Sequence, residues 1–456
     1  MLATNLGKTG RFRVEDLKGP RELRPTHLKD LRRCLDPAAG AALPIRPRGG
    51  GSAVTDCNTT THGTILHTTG LDRIGTVDPE AGTVTVQAGV QLAALVEHLA
   101  EQGLELAGGF ETGGRTVGGA IAAPCFGPTI GDAAGFFSST VAAMKVVTPD
   151  GRLLTIGPDQ ENLLGALRMS FGLLGVIYEA TLRVRPARTF TVSHRRVDFE
   201  KFAALVDALS NGDVGIKFYL MPYRDRVYLD LRRYDRRAGS AHRVPWRIKD
   251  WGESTVLPHV FRSLNRVMPI RSVKYNLIDT ISETTQSLVN SRFVANGSNA
   301  TSQSGLYRRP DTRPGRRRVH RSTWCFPAAN FSVVVRAFRD FCVAIYEDGG
   351  YRLDLPAVGH RLPRDRGAIL SPARDEAMIA LTVASTDARG WEDFVIDLAE
   401  FGERWGGIPL VSHSRALRAE YLIQTYAGRL DFFRRLRRQL DADNRLLSPF
   451  LAQFCQ

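Results

Sequence analysis

Two hydrophobic periods alternate along the first 186 residues. Thr83-Val84-Thr85-Val86-Gln87 alternates like a strand. Leu92, Leu95, Val96 and Leu99 then recur at helical spacing, and Gly103 follows as a stop signal. Upstream, the apolar run Ala42–Ile45 ends in glycines and predicts a buried strand followed by a tight turn. Val141–Thr148, the turn Pro149-Asp150-Gly151 and Leu153–Ile156 predict a hairpin. Gly175–Val184 predicts a further strand, closed by Pro186. Residues from about 40 to 186 thus form one continuous α+β unit.

The pattern changes near residue 188. Strands are predicted at Phe190–Val197, Val214–Leu220 and Val227–Arg232, with a helix over Phe199–Leu209. Residues 235–325, rich in Arg, Ser, Gly and Asn, predict long loops. A helix over Asn330–Glu347, a strand over Met378–Ala384 and a helix over Trp391–Trp405 complete a second α+β unit. Near the end, Leu430, Phe433, Leu436 and Leu440 share one side of an amphipathic helix whose other side carries arginines. The expected division is 1–187, 188–405 and 406–456.

Composition narrows the class. The 456 residues are 43% hydrophobic and 24% charged, as in a soluble globular protein of two or three domains. No apolar run approaches the length of a membrane span, and the first residues lack the apolar core of a secretory signal. A cytoplasmic location is therefore the expectation. The six cysteines have no paired spacing and the ten histidines no ligand motif, so a metal site is not expected. The net charge of +14 favours anionic partners such as phosphate cofactors or acidic substrates. Arginine runs at 232–237, 308–321 and 434–438 also permit a nucleic-acid-binding reading. Interleaved aromatics and any recognition signature are absent, so no nucleic-acid partner is expected.

Four segments carry the chemistry. Arg48-Gly49-Gly50-Gly51-Ser52 can turn consecutive N–H groups toward one point, which makes an anion-binding nest. It has neither the Rossmann nor the P-loop spacing. In Gly108–Ala123 most side chains are small or apolar, so backbone must closely approach something there. Phe137-Ser138-Ser139-Thr140-Val141 and Phe171-Gly172-Leu173-Leu174-Gly175-Val176-Ile177 follow.

In this order the segments resemble the FAD-linked oxidases of the vanillyl-alcohol oxidase and p-cresol methylhydroxylase type. The matching features are Arg48–Ser52, Thr116–Gly119, Ser138–Val141, Asp150-Gly151 and Gly172–Ile177. The C-terminal Phe432–Asp441 and Ser448–Leu451 are similar to the aldonolactone and alditol oxidase and decaprenylphosphoryl-ribose oxidase branches, whose tail returns to the FAD domain. The resemblance implies a two-part FAD-binding domain with an α+β substrate (cap) domain. It implies FAD contacts from Arg48, Gly49, Gly50, Gly51, Ser52, Asp56, Thr112, Gly113, Thr116, Val117, Gly118, Ala122, Cys125, Phe126, Gly127, Ser138, Val141, Gly175 and Ile177.

Departures from the family pattern carry information too. Ser52 stands where many relatives bond a histidine covalently to the flavin, and His62 and His67 are off register. The expected FAD is therefore non-covalent. Cys125 stands where relatives have a small residue thought to gate oxygen, so the acceptor is O2 or another compound. Ser412 falls nearest a position where relatives place a lysine, which argues against sugar lactones. An alcohol gives up hydride only as its proton departs, and His413 has a suitable unperturbed pKa to take it. On a strand Ser412 and His413 would point to opposite faces; if Ser412 faces the flavin, Tyr421 or Tyr219 is needed as base. The catalytic candidates are therefore His413, Ser412 and Tyr421.

The expected activity is an FAD-dependent oxidoreductase passing hydride from a small alcohol-type substrate, sugar-like or anionic, to flavin N5. The rival on the same fold is a secondary-metabolite tailoring oxidase acting on an alcohol, amine or carbon–carbon bond.

Overall fold

The computed structural model describes residues 19–110, 113–131, 134–210, 213–234, 244–288, 300–306 and 319–456. Thr112 lies outside the described residues, as does most of the 308–321 arginine run.

Three sheets organise the chain. In the first, β1 (Arg21–Leu23) and β2 (Ile45–Arg48) flank β3 (Thr64–His67) in parallel, with the helix α1 (Leu28–Leu35) between β1 and β2 in sequence. The second is antiparallel: β4 (Ile74–Asp78), β5 (Thr83–Gln87), β9 (Val176–Pro186), β7 (Val141–Val147) and β8 (Leu153–Ile156) lie in that spatial order. The short β6 (Leu104–Leu106) pairs with β9. The β7–β8 hairpin and the β5 alternation are as the sequence predicts: Val84 and Val86 are buried, while Thr83 and Thr85 are partly exposed. The helix α2 (Leu92–Glu101) buries Leu92, Leu95, Val96 and Leu99, its predicted face.

The third sheet is larger. Its spatial order is β13 (Ala300–Ser302), β10 (Thr189–Val197), β12 (Arg226–Tyr234), β11 (Gly215–Met221), β15 (Ala357–Leu362), β16 (Met378–Ser385), β14 (His320–Pro327) and β17 (Ile408–Pro409), all antiparallel. Period-2 alternation gives it two faces. Phe218, Leu220, Val227 and Leu229 enter a core with the helices Phe199–Ser210, Phe331–Gly349 and Trp391–Arg404. The residues between them, among them Lys217, Tyr219, Tyr228, Asp230 and Arg232, point to the other face.

The expectation of long loops over 235–325 is corrected. Val244–Trp251, Leu257–Val267 and Arg271–Leu288 are helices, joined over Gly252–Val256 by a wider helical turn. Their polar composition hid the pattern, because the side they bury is itself partly polar: Lys274, Tyr275, Ile278, Ser282 and Gln286 in Arg271–Leu288. These helices cover part of the sheet's second face through a buried charged network. Asp230 meets both His194 and Lys249, the latter at 2.8 Å. Tyr219 Oη donates to Glu253 at 3.1 Å and accepts from Lys249 at 3.3 Å. Burial opposes ionisation of Asp230, but Lys249 and His194 outweigh it and hold the carboxyl well below the usual range.

The C-terminal residues return to the first core. The helices Ala419–Leu440, kinked at Ala427, and Pro449–Cys455 place Leu422, Leu430, Phe433, Leu451 and Phe454 against Leu95, Leu106 and Leu174. The predicted Leu430-to-Leu440 stripe is the C-terminal half of the longer of these helices. Arg46, fully buried on β2, ties the parts together. Its guanidinium donates to the carbonyls of Leu446, of Cys57 at 2.6 Å and of Phe171 at 2.5 Å.

Among the described residues, no helix is long and apolar enough to cross a membrane, and no three His, Cys, Asp or Glu side chains gather as a metal site.

Candidate functional site

A groove of about 690 Å³, counted with its open mouth, runs between the first and second sheets. Its wall begins where β2 ends. Gly49, Gly50 and Gly51 leave the strand and pass so close to the 114–116 segment that a Cβ on Gly50 would sit 2.8 Å from the Gly114 carbonyl oxygen. Gly51 takes φ +64°, the left-handed turn that bends the loop back over the groove. Opposite, Thr116 caps the short helix Val117–Ala122, accepting from the Gly119 N–H at 3.2 Å.

Ten of the predicted cofactor contacts meet in this groove: Arg48, Gly49, Gly50, Gly51, Ser52, Thr116, Gly118, Ala122, Gly175 and Ile177. Others do not line it. Asp56 is exposed at the start of a 3₁₀ turn, and the neighbouring Asn58 faces the groove in its place. Val117 and Val141 are in the hydrophobic core, the first because it is the inward residue of its helix and the second because it opens β7. Gly113 serves the packing against α2, its carbonyl accepting from the Ala93 N–H at 3.0 Å. Cys125 is buried beside Arg115, and burial pushes its thiol up. Gly127 lets the chain pass Phe110, whose backbone carbon lies 2.6 Å from where a Cβ would be.

Sequence reasoning missed Arg115. It is 7% exposed, lines the groove, and donates to the Pro124 carbonyl at 2.5 Å, while its Nε is buried without a hydrogen-bond partner. A lone arginine among glycines gave no periodic signal. The only hint was its place inside the Gly108–Ala123 segment. Ser138 Oγ is likewise buried without a partner. At the groove itself, the unbonded Arg115 Nε is a polar atom that a bound polar molecule could engage.

The third cluster joins the two units. Phe126 lies 6.1 Å from Phe136, 5.7 Å from His360 on β15 and 6.5 Å from His413, centroid to centroid. His413 is brought there by bonds between the tail and the glycine loop. The Val54 N–H donates to the Ser412 carbonyl at 3.0 Å, Thr55 Oγ1 to the Val411 carbonyl at 2.9 Å, and Arg415 Nε to the Val54 carbonyl at 3.0 Å.

Three catalytic expectations are corrected here. Only Ile408–Pro409 is strand; residues 411–413 form a turn, so Ser412 and His413 need not face opposite ways, and Ser412 Oγ meets His413 Nδ1 at 3.0 Å. Burial, with Arg115 and Arg321 near, pushes the His413 imidazole down to about 3. It is neutral and a weak base, because burial disfavours the charged form and both arginines oppose a further positive charge. Tyr421 lies on the helix-covered side of the large sheet, donating to the Gly407 carbonyl at 2.7 Å beside Trp324, and does not reach the Phe126 cluster.

With this geometry in place, comparison with known proteins decides the cofactor. Residues 21–157 match the family described as FAD binding domain. Residues 21–157 are an FAD-binding domain of the p-cresol methylhydroxylase type. The FAD domain so defined contains the glycine loop, Arg115, Thr116 and Ser138, and the residues lining the groove fit the group: a glycine cradle and a buried arginine with an unbonded Nε. The expected fold class and cofactor are both borne out.

Among proteins of known activity, the chain is 30% identical over 205 residues to L-gulono-1,4-lactone dehydrogenase of Mycobacterium tuberculosis, covering 45% of this chain and 47% of that protein. It is 30% identical over 164 residues to D-arabinono-1,4-lactone oxidase of Yarrowia lipolytica, covering 36% and 31%. The chain thus spans about a third to a half of the length of these relatives. Among solved structures, cholesterol oxidase from B. sterolicum superposes with a TM-score of 0.78 at 15% identity, over 95% of this chain and 94% of that one. That likeness is one of fold, and it extends the resemblance through the large sheet.

Proposed function

We propose that this protein is an FAD-dependent oxidoreductase that oxidises an alcohol-type, sugar-like substrate between the FAD domain and the large sheet. The observation that carries the reading is the convergence of Phe126, His360 and His413 beside the glycine groove, where the two units meet. The sugar-lactone relatives support a hydroxylated substrate, although Ser412 in place of the family's lysine separates this chain from them. The nucleic-acid reading gains nothing from these findings.

In this reading the groove residues Arg48–Ser52, Thr116, Gly118, Ala122, Gly175 and Ile177 hold the cofactor, with Arg115 offering positive charge. Bound FAD would supply a two-electron acceptor for the hydride released by substrate. His413 Nδ1 is engaged with Ser412 Oγ, which leaves Nε2 to hydrogen-bond a substrate hydroxyl and orient its carbon. Because the imidazole is held neutral, it positions the hydroxyl rather than storing its proton. Phe126 and Phe136 narrow the space on one side and exclude water. The cofactor is non-covalent, because Ser52 is no flavin nucleophile and His67 is held on β3 beside Glu22. Reoxidation by O2 or another acceptor, and a cytoplasmic location, belong to the same proposal.

The visible spectrum of the purified protein tests it. A flavin band that stays in solution after acid precipitation, and bleaches anaerobically with an alditol or aldose, is expected. A colourless protein that takes up no FAD, or a flavin that no alcohol bleaches, would overturn it.

A further inference from the structure

We propose that a second cavity, at the seam between the FAD domain and the large sheet, is a built site for a compact oxyanion carried by the substrate. This rests on the oxidoreductase reading and names the substrate class. The cavity, about 430 Å³ with its mouth, lies between the 107–109 and 128–130 segments on one side and β10 and β12 on the other. Pro128, Thr129 and Ile130 of its wall follow closely on Phe126 in the chain.

Arg232 is the reason. It stands on the same face of β12 as Asp230, is 7% exposed, lines the cavity, and packs over Phe190 with its carbon 5.9 Å from the ring centroid. Its Nε is buried without a hydrogen-bond partner. Asp230, two residues earlier on the same face, lies in its field but is already engaged by Lys249 and His194; a planar fork of donors with an unbonded Nε suits an oxyanion.

The surroundings favour negative charge. The one carboxylate at the cavity, Glu105, is already engaged: Oε1 accepts from Arg185 Nε at 2.8 Å and Oε2 from the Arg188 N–H at 3.2 Å. Tyr234 accepts a hydrogen bond from Arg185, and the Arg185 and Arg188 guanidiniums sit 5.3 Å and 5.1 Å from its ring. Among the side chains that line the cavity, two arginines, Arg185 and Arg232, stand against the one carboxylate, Glu105. The wall is shaped for close approach: a Cβ on Gly109 would lie 3.0 Å from Thr129 Oγ1, and Gln303 braces the same loop by donating to the Leu106 carbonyl at 3.1 Å.

The experiment is calorimetric titration of the FAD-saturated protein with inorganic phosphate and with acetate, at fixed ionic strength. Saturating with FAD keeps these probes out of the glycine groove. Saturable 1:1 binding that weakens at least tenfold in Arg232→Met and less in Arg232→Lys is expected. Tighter phosphate than acetate assigns a phosphorylated substrate, and the reverse assigns a carboxylate; either supports the site. No saturable binding in the wild type, or equal binding in wild type and Arg232→Met, overturns it. An unchanged flavin spectrum and melting temperature in the variants exclude misfolding as the cause of a loss. If no FAD is taken up, the same titration on the apoprotein reads the anion site by its Arg232 dependence, so the two proposals fail separately.

Discussion

Gly50→Ala isolates what the glycine loop contributes. The new Cβ would lie 2.8 Å from the Gly114 carbonyl oxygen, whereas ordinary contact begins at 3.4 Å. The obstacle is backbone, so no rotamer relieves it; the loop and the 114–116 segment must separate by about 0.6 Å, the difference of those two distances. Such overpacking costs roughly 1–3 kcal/mol. Both segments wall the groove, so the displacement changes the spacing offered to FAD. At 1.4 kcal/mol per tenfold, affinity should fall by about 5- to 150-fold. Gly49→Ala meets a side chain instead: its Cβ would lie 2.1 Å from Thr116 Oγ1, which can rotate away while giving up its cap bond to the Gly119 N–H. That loss is about 1 kcal/mol, so the second variant should be the milder. Gly349→Ala, with nothing within 4 Å of the added carbon, is the control. The assay is quenching of FAD fluorescence on titration with apoprotein. Wild-type affinity in Gly50→Ala, or an equal loss in the control, would refute the packing argument.

Three further outcomes are expected. Arg46→Met leaves three buried main-chain carbonyls without their donor, at roughly 1–3 kcal/mol each, and urea unfolding should show a loss of at least about 3 kcal/mol. Lys249→Met removes the lysine of the buried Asp230 ion pair, leaving His194 and Arg232 to hold the charge, and should cost up to about 3–5 kcal/mol; adding Asp230→Asn should recover part of it, and a purely additive double variant would contradict the coupling. His413 is held near 3, below its unfolded value of about 6.5, so the unfolded chain binds the extra proton between those limits. Its contribution to stability is therefore complete above about pH 6.5 and falls as pH drops toward 3. His413→Gln should flatten that part of the melting-temperature profile, and the pH dependence of kcat/KM should show no limb near 6.5 from this residue.

The sequence by itself determined the local frame. The alternation at Thr83–Gln87, the leucine spacing from Leu92 to Leu99 and the Asp150-Gly151 turn specify β5, α2 and the β7–β8 hairpin, because each is written in a period that burial on one face enforces. The order of the glycine segments indicated FAD for a similar reason: side chains are excluded wherever backbone must approach a ligand, and exclusion is visible without coordinates. Tertiary structure alone decided what depends on partners distant in sequence. The helices within 244–288 were illegible because they bury polar residues, which are tolerated only because Asp230, Tyr219 and Glu253 join them in one network. The fate of the catalytic candidates was equally non-local. Tyr421 turns to the helix side of the sheet, and His413 loses its basicity to burial first, and then to Arg115, almost 300 residues earlier in the chain, and Arg321. Arg232 stands in an arginine run that reads as a solvated face, yet the fold of β12 buries it at a cavity. A one-dimensional pattern records which face is buried; it does not record which charges meet there, and those charges govern the chemistry.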